Sequence, residues 1–92
     1  MPADIKSQID EALRTATELN ASNPGRLSVE MVIDELLYLR NLYQRDGNLA
    51  ALPHEKLAMG ALAAKEFSDS NPKLAELLFD INYAVSRSSR EP

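Results

Sequence analysis

The sequence contains no cysteine and a single histidine, His54. Without cysteine the chain can form neither a disulfide framework nor a thiolate metal site, and it has no cysteine nucleophile. His54 stands beside Glu55 and Lys56, without the partner residues that a general base or a metal site would need. A surface position therefore explains this histidine better than catalysis does.

Phosphate-binding glycine patterns and long apolar runs are also lacking. The lone Gly60 belongs to no phosphate-binding motif, and carboxylate pairs such as Asp34-Glu35 indicate solvated helix faces. No apolar segment approaches the length of a membrane span, and the N-terminus lacks the apolar run of a signal peptide. We therefore expect a cytoplasmic protein that is not an enzyme and binds no cofactor and no metal.

The charge balance is acidic, with 14 Asp and Glu residues against 10 Lys and Arg residues and a net charge of −4. Because the basic residues are scattered, nucleic acid and anionic membranes are unfavourable partners, and a basic or mixed-charge protein surface suits the chain better. The 92 residues, 45% of them hydrophobic, predict a single helical domain over 1–92 with a polar tail from about 87.

Hydrophobic periodicity predicts an all-α fold, a compact bundle of four short helices. Turn and cap residues suggest the boundaries, since Pro24-Gly25 breaks the chain and Ser28 can cap the second helix. Asn71-Pro72 combines a cap residue with a proline in the first turn of the fourth helix. The predicted helices cover about 3–19, 28–45, 53–68 and 72–85, the third beginning at Pro53 and the fourth fraying into the tail.

The third predicted helix carries small residues on several sides, among them Gly60, Ala61, Ala63 and Ala64. Small side chains let neighbouring helices approach closely, so we expect this helix to be central. Arg40 falls within the apolar face of the second helix, and we expect it to pair with a carboxylate of another helix or to extend outward.

Two further stripes do not fit a simple core. On the second helix Met31, Tyr38 and Leu42 lie almost opposite the main apolar face, beside Asp34 and Glu35. On the fourth helix Phe79 and Tyr83 form an i, i+4 pair next to Asp80. Either stripe could be the flank of a wide core. Amphipathic anchors within a rim of carboxylates are also typical of a protein contact, and the Phe79 and Tyr83 pair favours this interpretation. The predicted partner-binding residues are Met31, Asp34, Glu35, Tyr38, Leu42, Phe79, Asp80 and Tyr83.

Residues 35–85 resemble the small helical immunity proteins of bacterial type VI secretion systems, in particular the family that neutralises NAD(P)+ glycohydrolase effectors. The likeness lies in a Tyr-Leu helix ending at Gly, a Gly-x-x-Ala-x-Lys-Glu-Phe helix, an Asp-x-x-Pro-x-Leu junction and a late Tyr. Those positions are Tyr38, Leu39, Gly47, Gly60, Ala63, Lys65, Glu66, Phe67, Asp69, Pro72, Leu74 and Tyr83.

The resemblance implies an all-helical protein that binds the toxin domain of its cognate effector and blocks the active site. Two alternatives from other classes stay open. One is a self-associating helical adaptor that uses the same stripes for a homodimer. The other is a small bundle that binds a metal or a cofactor.

Overall fold

The computed structural model describes residues 5–46 and 57–90, and these residues contain helices and no strand. The all-α prediction is confirmed. Helix α1 covers Ile5–Ser22 and α2 covers Leu27–Asp46. The third helix consists of α3, Met59–Leu62, and a π-helical segment, Ala63–Phe67, and α4 covers Pro72–Arg90.

Helix α1 packs against α2 and α4, and the third helix packs against the same two helices from another side. Their inward faces form one core, and the buried residues among those described are all hydrophobic. The third helix supplies Met59, Ala63 and Phe67, each with 0% exposure. The other core residues are Ile9, Ala12, Leu13, Ala16, Val29, Val32, Leu36, Leu39, Leu42, Leu74, Ala75, Leu78, Ile81 and Val85.

The turn between α1 and α2 depends on Gly25, whose φ of 92° lies in the left-handed region that favours glycine. Helix α2 then begins at Leu27, and the N–H of Glu30 donates to the carbonyl of Arg26 at 3.1 Å. The prediction that Ser28 caps this helix is therefore wrong, because Ser28 lies inside the first turn.

The third helix begins later than predicted, because Leu57 and Ala58 are not helical. Its first N–H groups are capped from another helix: the carboxylate of Glu35 accepts from the N–H of Ala58 at 2.7 Å and from that of Met59 at 3.0 Å. A helix start needs such acceptors. Here Glu35 of α2 provides these acceptors. The predicted start at Pro53 lies outside the described residues, as do Gly47 and His54.

The small residues of the third helix divide between two environments. Gly60 and Ala63 face inward, and a Cβ built at Gly60 would meet the side chain of Asn82 on α4. Ala61 and Ala64 are exposed. The close approach predicted at Gly60 is thus present on the α4 side, but the alanines on the outer face contact solvent.

Helix α4 begins as predicted. Asn71 Oδ1 accepts from the N–H of Leu74 at 3.3 Å, so Asn71 is the cap and Pro72 occupies the first helical position. The helix continues through Arg90, although the sequence was predicted to fray after Val85. Residues 86–90 contain neither glycine nor proline, and serine and arginine are compatible with a helix interior.

Candidate functional site

The outer face of α2 carries an exposed apolar stripe. Met31 is 38% exposed and Tyr38 is 53% exposed, and the exposed carboxylate of Asp34 lies between them along the helix. Leu27 extends the stripe by one turn and is 69% exposed. Sequence reasoning missed Leu27, although it stands four residues before Met31, because the helix was expected to start after it.

Leu42 does not belong to this stripe, since it is only 4% exposed and lies in the core. Four helical residues rotate the chain by about 40° more than a full turn. That rotation moves Leu42 from the exposed line of Tyr38 to the flank of α2 that packs inward. The prediction that Leu42 faces outward is wrong.

Glu35 is half-buried rather than part of an open rim. Both of its carboxylate oxygens accept backbone N–H groups at the start of the third helix. Charge-assisted bonds of this kind are stronger than neutral ones. The structure therefore gives Glu35 a role within the fold, as the link between α2 and the third helix.

The aromatic pair on α4 faces outward as predicted. Phe79 is 44% exposed and Tyr83 is 65% exposed, and Asp80 beside them is exposed as well. The opposite side of α4 carries the core residues Leu78 and Ile81. Phe79 and Tyr83 are thus not the flank of a wide core.

The exposed residues of α2 and α4 border the same element. Met31 lines a groove together with Leu62 of the third helix. Phe79 precedes Asn82 by three residues, and the Asn82 side chain lies against Gly60 of the third helix. The exposed Ala61 lies on the outer face of the third helix, between these two contacts. Met31 thus lies beside the third helix on its α2 side, and Phe79 stands one helical turn from the α4 residue that contacts it.

A second groove lies between α1 and α2 on another side of the bundle and has a volume of about 690 Å³. Arg40 lines it beside Asp10 and Glu18, and the Nε of Arg40 is buried without a hydrogen-bond acceptor. Within residues 5–46 and 57–90, Arg40 forms no ion pair, so the predicted pairing with a carboxylate of another helix is not found.

The same described ranges contain no group of three or more His, Asp or Glu side chains placed to hold a metal ion. Among the helices that the structure describes, none is long and apolar enough to cross a membrane. The features that stand out are the exposed apolar side chains around the third helix.

Comparison with known proteins identifies the family. Residues 4–87 match the family Tsi6. The "Immune protein Tsi6" of Pseudomonas aeruginosa is 32% identical over 83 residues, which span 89% of this chain and 86% of that protein. A chain in the solved "Structure of Tse6 in complex with Tsi6" superposes with a TM-score of 0.83 at 28% identity, covering 96% of this chain and 93% of that chain. The resemblance to type VI secretion immunity proteins is confirmed, and the chain belongs to the Tsi6 family of immune proteins.

Proposed function

We propose that this chain is an immunity protein that binds the toxin domain of a cognate type VI secretion effector. The observation that carries the proposal is family membership. The Pseudomonas aeruginosa relative is an immune protein, and the superposing structure is a complex of Tse6 with Tsi6. The fold supports it, because a small helical bundle that exposes Met31, Tyr38, Phe79 and Tyr83 has apolar surface to offer a partner.

The proposed contact surface is the one that borders the third helix. Met31, Tyr38, Phe79 and Tyr83 supply apolar area there, and exposed carboxylates stand beside them at Asp34 and Asp80. Aromatic anchors surrounded by a polar rim are the usual composition of a tight protein interface. Two of the predicted contact residues serve the fold instead. Leu42 packs in the core, and Glu35 caps the start of the third helix.

The protein needs no chemistry of its own for this task. It acts by covering the active site of the toxin, which we propose to be an NAD(P)+ glycohydrolase, so that the dinucleotide is excluded. Carboxylates such as Asp34 and Asp80 are suited to meet basic groups that would otherwise hold the phosphates of that substrate. Protection against such a toxin takes place in the cytoplasm, where the dinucleotide pool lies.

Co-expression tests this proposal. The toxin domain encoded beside this chain should kill bacteria when produced alone and should lower their NAD(P)+ content, and production of this chain should prevent both effects. If the toxin domain kills without lowering NAD(P)+ and this chain still prevents the killing, the glycohydrolase assignment is refuted and the immunity function is retained. Killing that persists despite a folded, abundant chain would refute the immunity function itself. A homodimer without affinity for the toxin would favour the self-associating adaptor.

A further inference from the structure

A groove of about 400 Å³ opens between the start of α2 and the third helix. Leu27, Met31 and Leu62 form its apolar wall, and Leu27 is the most exposed of the large apolar residues in the described ranges. This volume lies towards the lower end of ligand pockets, which measure about 300–1,000 Å³. The groove can therefore admit a short protruding segment of another molecule.

Arg26 and Glu66 form the polar side of the groove. The guanidinium of Arg26 lies 3.7 Å from the carboxylate of Glu66 and 5.5 Å from the ring centroid of Phe67. The ion pair is long, and its side chains are 29% and 40% exposed, so it contributes little stability. The Arg26 guanidinium also lies over the Phe67 ring. Because its ion pair with Glu66 is long and Glu66 is partly exposed, the Glu66 carboxylate can accept a second cation.

The groove is lined by one acidic and one basic residue, Glu66 and Arg26, and further exposed carboxylates stand near it on α2. Glu30 and Asp34 are exposed and stand three residues after Leu27 and Met31, respectively, while Glu66 lies on the facing wall. Arg26 is the basic residue among those that line the groove. The complement of this surface is an apolar group next to a positive charge.

We infer that this groove receives an apolar side chain of the effector together with a neighbouring lysine or arginine, which pairs with Glu66. The inference rests on the proposed function and adds to it a specific pocket and the chemistry of its occupant. A second copy of this chain fits less well, because it would bring the same carboxylates of Glu30, Asp34 and Glu66 into opposition, and the chain is acidic overall.

Leu27→Glu tests the apolar part. Leu27 is the first residue of α2, where an acidic side chain is favourable to the helix dipole, so the variant should fold normally. Ser7→Glu is the matched control, since Ser7 is exposed in the first turn of α1. Against the catalytically disabled toxin domain, Leu27→Glu should raise Kd by about tenfold or more, whereas Ser7→Glu should leave Kd within about twofold.

Glu66→Gln tests the charged part by removing the charge at nearly constant shape. The affinity for the toxin domain should fall, because one electrostatic attraction across the interface is lost. For the same reason, added salt should weaken binding of the variant less steeply than it weakens binding of the unmodified chain. The thermal midpoint should change little, since the ion pair with Arg26 is weak. An unaltered salt dependence would refute the cation in the groove.

The remaining outcomes are distinguishable. If the unmodified chain binds and Leu27→Glu binds equally well, the groove assignment is wrong and the immunity function stands. If the unmodified chain does not bind the toxin domain at all, both fail together. If Leu27→Glu converts a dimer of this chain into a monomer in the absence of toxin, the occupant is a second copy and the inference is overturned.

Discussion

Gly60 lies directly against Asn82, since a Cβ built at Gly60 would stand 2.9 Å from the Nδ2 atom of Asn82 and 3.1 Å from its Cγ atom. We expect Gly60→Leu to lower the free energy of unfolding by roughly 1–3 kcal/mol, because the added side chain overpacks this contact. Gly60→Ala is the control, because its smaller clash is offset by up to about 1 kcal/mol of helix propensity. Urea denaturation followed by circular dichroism measures both. Equal stability of all three proteins would show that the contact is not tight.

Glu35 should matter for stability through its two backbone acceptor bonds to Ala58 and Met59. Glu35→Ala removes both bonds and leaves the start of the third helix uncapped, so we expect a loss of about 1–3 kcal/mol. The neighbouring Asp34→Ala is the control, because Asp34 is exposed and should change stability by less than about 0.5 kcal/mol. A thermal midpoint equally insensitive to both substitutions would contradict the capping role.

Leu42 and Tyr38 should behave in opposite ways. Leu42→Ala opens a cavity in the core and should cost about 2–5 kcal/mol of folding free energy. Tyr38→Ala removes a side chain that is half-exposed and should leave the thermal midpoint nearly unchanged. In binding assays with the toxin domain the order should reverse, Tyr38→Ala losing affinity while folded Leu42→Ala largely retains it. A large loss of stability in Tyr38→Ala would show that the Tyr38 side chain serves the fold rather than the interface.

Tyr83 is the most exposed aromatic side chain in the described part of α4. If it is an interface anchor, Tyr83→Ala should leave the thermal midpoint nearly unchanged and weaken toxin binding by about 2 kcal/mol, which is about thirtyfold in Kd. Lys73→Ala is a suitable control, because it truncates an exposed side chain near the start of α4 whose surface ion pair with Glu11 contributes little stability. Unfolding of Tyr83→Ala with intact binding of the remaining folded protein would make α2 the better candidate surface.

Charge reversal at the rim should act on the association rate. Asp80→Lys, or Asp34→Lys on α2, replaces an exposed carboxylate and should slow association with a basic toxin surface. The salt dependence of the rate should become weaker at the same time. Stopped-flow measurements at several ionic strengths provide the test. Faster association of either variant would mean that the toxin surface facing that position is acidic.

The sequence by itself determined the helical class, the approximate extents of α1 and α2 and the start of α4, because these depend on local patterns. Apolar spacing marked α1, α2 and α4, and the Asn71-Pro72 pair marked the start of α4 through a cap bond made within one turn. Spacing also placed Phe79 away from the main apolar face of α4, and the structure shows that this position is exposed. The family resemblance was visible for a related reason, since it rests on the order and spacing of helix and junction residues within the sequence.

Tertiary structure alone decided the start of the third helix and the composition of the exposed surface. Glu35 caps Met59 from 24 positions away, and no local pattern contains that acceptor. Arg26, the residue before α2, contacts Phe67 and Glu66 of the third helix, and Leu27, which starts α2, is exposed. Helical spacing places Leu42 next to Tyr38 on the surface of α2. The packing of the neighbouring helices then determines that Leu42 is buried and Tyr38 is exposed. Long-range contacts of this kind have no signature in a short stretch of sequence, and they shape the surface offered to a partner.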